Sequence, residues 1–90
     1  MTANQLEIDT ASILDNVDEA QVEFAGEVDG DEYQFAAQYD LLEALSGDRP
    51  ENDAVDMFNR FVDQISEAAL SALSRNADQA LIVVSENDLE

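Results

Sequence analysis

The side chains that most often carry chemistry are missing from this chain: it has no His, no Cys and no Lys. Without His, the usual general base and the commonest transition-metal ligand are gone. Without Cys there is no thiolate nucleophile, zinc finger or disulfide, and nothing bears on redox compartment. Without Lys, Schiff-base chemistry and the P-loop cation are excluded. What remains is carboxylate. There are 22 Asp and Glu against three Arg, a net charge of −19 on 90 residues. Asp15, Asp18 and Glu19 crowd together, as do Glu27, Asp29, Asp31 and Glu32. Hard cations such as Ca²⁺ and Mg²⁺ prefer oxygen ligands, so a weak cation site near Asp29-Gly30 is one reading. Turn and surface roles rank ahead of it. Counting back from Gly30 puts Ala25 at the first ligand position of an EF-hand loop, and that motif fails. Glycosidase-type acid/base work needs two carboxylates facing across a cleft, which spacing alone does not supply. Ser66, Ser71 and Ser74 have no basic partner and no elbow motif. The residues therefore predict a non-enzymatic chain with no catalytic residue, no cofactor and no metal. Glu23, Glu27, Asp29, Asp31 and Glu32 form the candidate acidic interaction surface.

The same charge bounds the partners. Phosphate-backbone binding needs clustered Lys and Arg, and anionic lipid attracts polybasic segments, so neither direct nucleic-acid binding nor membrane docking is expected. The longest apolar run, Ala80 to Val84, is far too short to span a bilayer. Met1 to Gln5 carries neither a charged nor an apolar leader region, and a cytoplasmic location is the expectation. A protein partner, one with a basic surface, is the remaining class. The chain itself is expected as a monomer or weak homodimer, because the charge opposes close approach at low salt.

The elements that must position these groups read in order. Residues 1–20 form an N-terminal arm, a short strand or partly disordered: Leu6 and Ile8 alternate with Glu7, while Ile13, Leu14 and Val17 have helical spacing. From Val22 the pattern sharpens. Two alternating runs, Val22 to Val28 and Asp31 to Ala37, flank Asp29-Gly30, the strongest short hairpin signal. A two-residue loop sets Val28 opposite Asp31, Gly26 opposite Tyr33 and Phe24 opposite Phe35. Val22, Phe24, Val28, Tyr33, Phe35 and Ala37 then share one face, and Glu23, Glu27, Glu32 and Gln34 the other. A slip of one residue would destroy that segregation. The register also places Glu27 across from Glu32, a like-charge pair that costs stability.

A short helix is predicted at Tyr39 to Ser46, with Leu41, Leu42 and Leu45 inside and Gly47 ending it. Asp48-Arg49-Pro50-Glu51 reads as the start of a second, long helix, with Asp48 as cap and Glu51 at capping-box spacing. Its apolar series runs Ala54, Phe58, Phe61, Ile65, Ala68 and Ala72. Asp56 lies four residues before Arg60, a favourable helical spacing, and Arg75 falls in the last turn. After a loop at 76–79, Ala80 to Val84 fits a strand buried on both faces, or one in the middle of a small sheet. The aromatic residues Phe24, Tyr33, Phe35, Phe58 and Phe61 are read as core, with Tyr39 at the surface. An α+β two-layer domain follows over residues 21–88, its helices packed on one face of a small, mainly antiparallel sheet. A cloning scar is one reading of Leu89-Glu90, and the pair is given no weight in the fold.

These residues resemble the YrdB-like family of small bacterial proteins of unknown function. The likeness is carried by Val22-Glu23-Phe24, Asp29-Gly30, the leucines of the short helix, and Gly47-Asp48-Arg49-Pro50-Glu51. It continues through Phe58, Ile65 and Ala69 to the closing strand and Asn87-Asp88-Leu89, covering roughly residues 20–89. The family pattern often has a Cys in the second hairpin strand, a Ser opening the first helix and an Arg four residues after the helix Phe. Here those positions are Phe35, Gln38 and Val62, so a polar site in the family would be absent or altered. The resemblance implies an α+β fold and no established role.

Two sharper readings of the charge follow. A globule of this length has a diameter near ~31 Å, and B-DNA of that length carries about 18 phosphates, so nucleic-acid mimicry is one. Adaptation to a salt-rich interior is the other. A mimic needs only one acidic face and can keep Lys elsewhere, whereas here Lys is absent. The first 48 residues hold 13 acids and no cation. Charge spread over every predicted element but the closing strand favours halophile-type composition over a shaped mimic.

Overall fold

A computed structural model of the chain describes residues 6–76 and 78–89. The leader reading of Met1 to Gln5, the scar reading of Glu90 and the loop position Ala77 lie outside the described residues. Four strands form one sheet in the order β1-β2-β3-β4: β1 is Glu7–Asn16, β2 Gln21–Val28, β3 Asp31–Gln38 and β4 Ile82–Val84. Between β3 and β4 lie α1 (Tyr39–Ser46), α2 (Ala54–Arg60) and α3 (Val62–Asn76), and a short 3-10 helix at Glu86–Asp88 follows β4. The fold is α+β with two layers.

The β2–β3 hairpin has the expected register, with Val28 opposite Asp31, Gly26 opposite Tyr33 and Phe24 opposite Phe35. Asp29 and Gly30 both sit at positive φ, 55° and 87°, as a type I′ turn requires. On the covered face Phe24 stacks on Phe35 at 5.1 Å between centroids and meets Phe58 of α2 edge-on at 4.8 Å. Ile65, Ala69 and Ala72 of α3, with Leu41 and Leu42 of α1, complete a fully buried core. Gly26 is needed for close approach: a Cβ there would lie 2.5 Å from Leu6 Cδ1.

Ile13, Leu14 and Val17 form no helix: the first two belong to β1, a ten-residue strand antiparallel to β2, and Val17 to the turn that follows. Its register shifts between Asp9 and Leu14. Residues 10–13 stand against Phe24 alone, three more than a regular ladder holds, and an odd excess flips the alternation, so Ile8 and Ile13, five positions apart, both pack against the core while Leu14 faces out. Ser12 repairs the gap: its Oγ accepts from the Ala25 amide at 2.9 Å and donates to the Asp9 carbonyl at 2.6 Å.

The long helix also differs from expectation. Helix α1 ends at Gly47 as predicted, its amide donating to Glu43 O, but the next helix begins at Ala54 rather than Asp48. Local bonds win over the cap. The Asp48 amide donates to Ser46 Oγ, and Asp53 Oδ1 accepts from the Glu51 amide. A one-residue break at Phe61 (φ −112°, ψ 27°) divides α2 from α3. The apolar series continues through it, which is why periodicity reads the two as one. Strand β4 is neither central nor covered on both sides. It pairs parallel to β3 at the sheet edge, with Ile82 and Val84 buried and Leu81 and Val83 exposed. All three helices lie on the other face, so only alternate residues of β4 are enclosed.

Candidate functional site

The second face of the sheet is open, and the strand registers define its rows. Glu7 stands opposite Glu27, which stands opposite Glu32, giving three acids across three strands at one end. Neighbouring strands are about 4.8 Å apart, so these carboxylates repel at close range. A shallow depression of about 470 Å³ at that end is lined by Glu7, Asp9, Glu27 and Glu32. Nearer the other end a second row reads Leu14, Glu23, Ala36 and Val83. Leu14 is 59% exposed and Val83 42%, while Ala36 is fully buried between strands.

Glu23 is the best-defined carboxylate on this face. Its Oε2 accepts from Asn16 Nδ2 and from Gln21 Nε2, both at 2.8 Å. These amides, Asn16 first, hold its pKa below the ordinary value against a small opposing effect of burial. Oε1 makes no hydrogen bond among the described residues. The five predicted surface residues are therefore split. Glu23, Glu27 and Glu32 share the open face; Asp29 is at the hairpin tip, and Asp31 takes the covered-face parity at the sheet end. Sequence reasoning missed Glu7, whose place depends on the β1 bulge, and Leu14 and Asn16, whose places depend on the turn at 17–20. It missed Gln21 as well, although the two-residue spacing from Glu23 on one strand face is a signal that could have found it. Among the described residues no group of three or more acids converges as a metal site.

Two other concave regions border α1. Tyr39 is buried, contrary to expectation, and its hydroxyl donates to Asp15 Oδ1 at 2.6 Å. Burial, reinforced by the Asp15 charge, pushes the phenol up to about 12. A phenol so held stays neutral near pH 7 and is a poor proton carrier there. The Arg49 guanidinium lies 6.0 Å from the centroid of the Tyr39 ring, and Asp40 Oδ1 is enclosed with no hydrogen-bond partner among the described residues. Beyond this cleft an open groove of about 590 Å³ is lined by Ser46, Arg49, Asp53, Met57, Arg60 and Phe61. It gathers two of the three arginines. Arg49 pairs with Glu43 at 3.5 Å, both well exposed, and Arg60 makes no ion pair among the described residues, the Asp56 spacing notwithstanding. Arg75 and Asp88 form the other ion pair, and Asp88 is almost enclosed. Asp88 Oδ2 also accepts from the Ser85 amide, so this pair ties the 3-10 helix to α3.

No protein-family model matches the chain, and no curated protein does. Among solved structures it is similar to a protein of unknown function from the DUF1488 family of Shewanella loihica PV-4. The TM-score is 0.72 at 22% identity, over 93% of this chain and 94% of the other. The shared feature is the fold. No helix among the described residues is long and apolar enough to cross a membrane.

Proposed function

We propose that this chain is a small non-enzymatic binding or accessory domain of the bacterial cytoplasm, with a surface adapted to high salt. The distribution of acids carries the reading. Every strand, helix and turn holds at least one acid except the three-residue β4, and of the described acids only Asp88 is buried. At low ionic strength such a surface repels itself and destabilises the compact state; salt screens the repulsion. Unfolding followed against KCl tests it, with strong stabilisation expected and a flat response counting against it. The quoted YrdB-like residues and the fold shared with a DUF1488 protein support placing the chain among such small bacterial domains.

Mimicry of a phosphate backbone is the second reading, favoured by the Glu7, Glu27 and Glu32 row. Its weakness is that the same face turns apolar at Leu14 and Val83. Capture of a DNA-binding protein or nuclease at low salt would support it.

A further inference from the structure

The row of Leu14, Glu23, Ala36 and Val83 has a composition that diffuse acidity does not explain. We propose that this part of the open sheet face docks a basic amphipathic helix of a partner protein, with Glu23 receiving an Arg or Lys; the proposal rests on the binding-domain reading above. Two observations support it. Glu23 is held in place by two amide donors on Oε2, which leaves Oε1 for an incoming donor. The amides keep the carboxylate ionised without neutralising it. Leu14 and Val83, the large apolar side chains on either side of it, are 59% and 42% exposed.

Salt sharpens the case. At about 1 M salt the Debye length is near 3 Å, so the long-range field of the acidic surface cannot recruit a partner. Recognition must then come from direct contact, through a fixed carboxylate and apolar area that salt does not screen. The opposite face of the same sheet already packs helices, the usual solution for an open sheet layer. Leu14 and Val83 are three strand spacings apart, about 14 Å, which a helix covers in about ten residues. Charge selects the occupant. A second copy would set its own Glu7, Glu27 and Glu32 against the same row, whereas a basic helix finds those acids complementary.

The test uses a peptide of about 18 residues built from Leu, Ala and Arg as a basic amphipathic helix. A control of the same composition has its order permuted to remove the apolar face. Titration into the labelled protein in about 1 M KCl suppresses non-specific attraction. The amphipathic peptide should bind at least about tenfold more tightly than the control, with amide shifts centred on Leu14, Glu23, Ala36 and Val83. Glu23→Gln should weaken it about tenfold, and Leu14→Ser should weaken it too, whereas Glu67→Gln on α3 should not. Equal binding of the two peptides, shifts centred on the helical face, equal losses for Glu23→Gln and Glu67→Gln, or self-association through this face would overturn the proposal. None of those results would alter the response of unfolding to KCl, so the two readings fail separately.

Discussion

The Tyr39 hydroxyl donates to Asp15 Oδ1 at 2.6 Å across 24 positions of sequence, pinning the start of α1 to the second half of β1. The bond lies on the core side of the sheet and holds the strand beyond its bulge in register. Its phenol is pushed up to about 12, so the folded value lies above the unfolded one. The stability this contributes is present in full below about pH 10 and lost as pH rises through about 12. Tyr39→Phe should cost about 1–2 kcal/mol near neutral pH and remove most of that alkaline slope. Denaturation at a series of pH values, wild type beside variant, reads both.

Arg75 and Asp88 hold the C-terminal 3-10 helix against α3. Arg75→Met leaves an almost enclosed carboxylate that accepts from the Ser85 amide alone, and should destabilise by about 1–3 kcal/mol. Arg75→Met combined with Asp88→Asn should recover part of the loss. A double-mutant cycle in urea would show the coupling, and strictly additive losses would refute it.

The cross-strand row of Glu7, Glu27 and Glu32 places like charges side by side. Glu27→Gln, the central member, should stabilise the protein by a few tenths to about 1 kcal/mol at low salt. The gain should shrink as KCl is added. A gain that persists undiminished at high salt would mean that packing, not repulsion, is the cause.

Ala20 adopts φ 54° in the turn between β1 and β2, a conformation that costs a residue with a Cβ about 1 kcal/mol. Ala20→Gly should raise the melting temperature by a few degrees. Gly26→Ala should do the opposite, losing about 1–3 kcal/mol against Leu6, with Leu6→Ala restoring part of it.

The hairpin was legible because Asp29-Gly30 fixes its turn and alternation fixes its faces, and α1 was legible because Gly47 stops it. Where local signals compete, the reading failed. Ser46 and Asp53 bond to nearby backbone and delay the second helix to Ala54. In β1 three extra residues between Asp9 and Leu14 exchange the faces of Ile13 and Leu14, so neither helical nor strand periodicity describes it. The candidate surface suffered for the same reason. Glu23, Glu27 and Glu32 could be put on one face from β2 and β3 alone, but Leu14 and Asn16 join it through the turn at 17–20 and Glu7 only through the bulge. Asp31 has the parity of the covered face, which the grouping by composition ignored. Tyr39 looked unconstrained because its partner, Asp15, belongs to that same shifted strand.

Salt adaptation is tested most directly by the unfolding midpoint of the wild-type chain and of a Glu7→Gln, Glu27→Gln, Glu32→Gln triple variant, measured from low salt to about 3 M KCl. The wild type should gain stability steeply as salt rises, and the triple variant should start higher and gain less. A midpoint that stays flat for both would contradict the account.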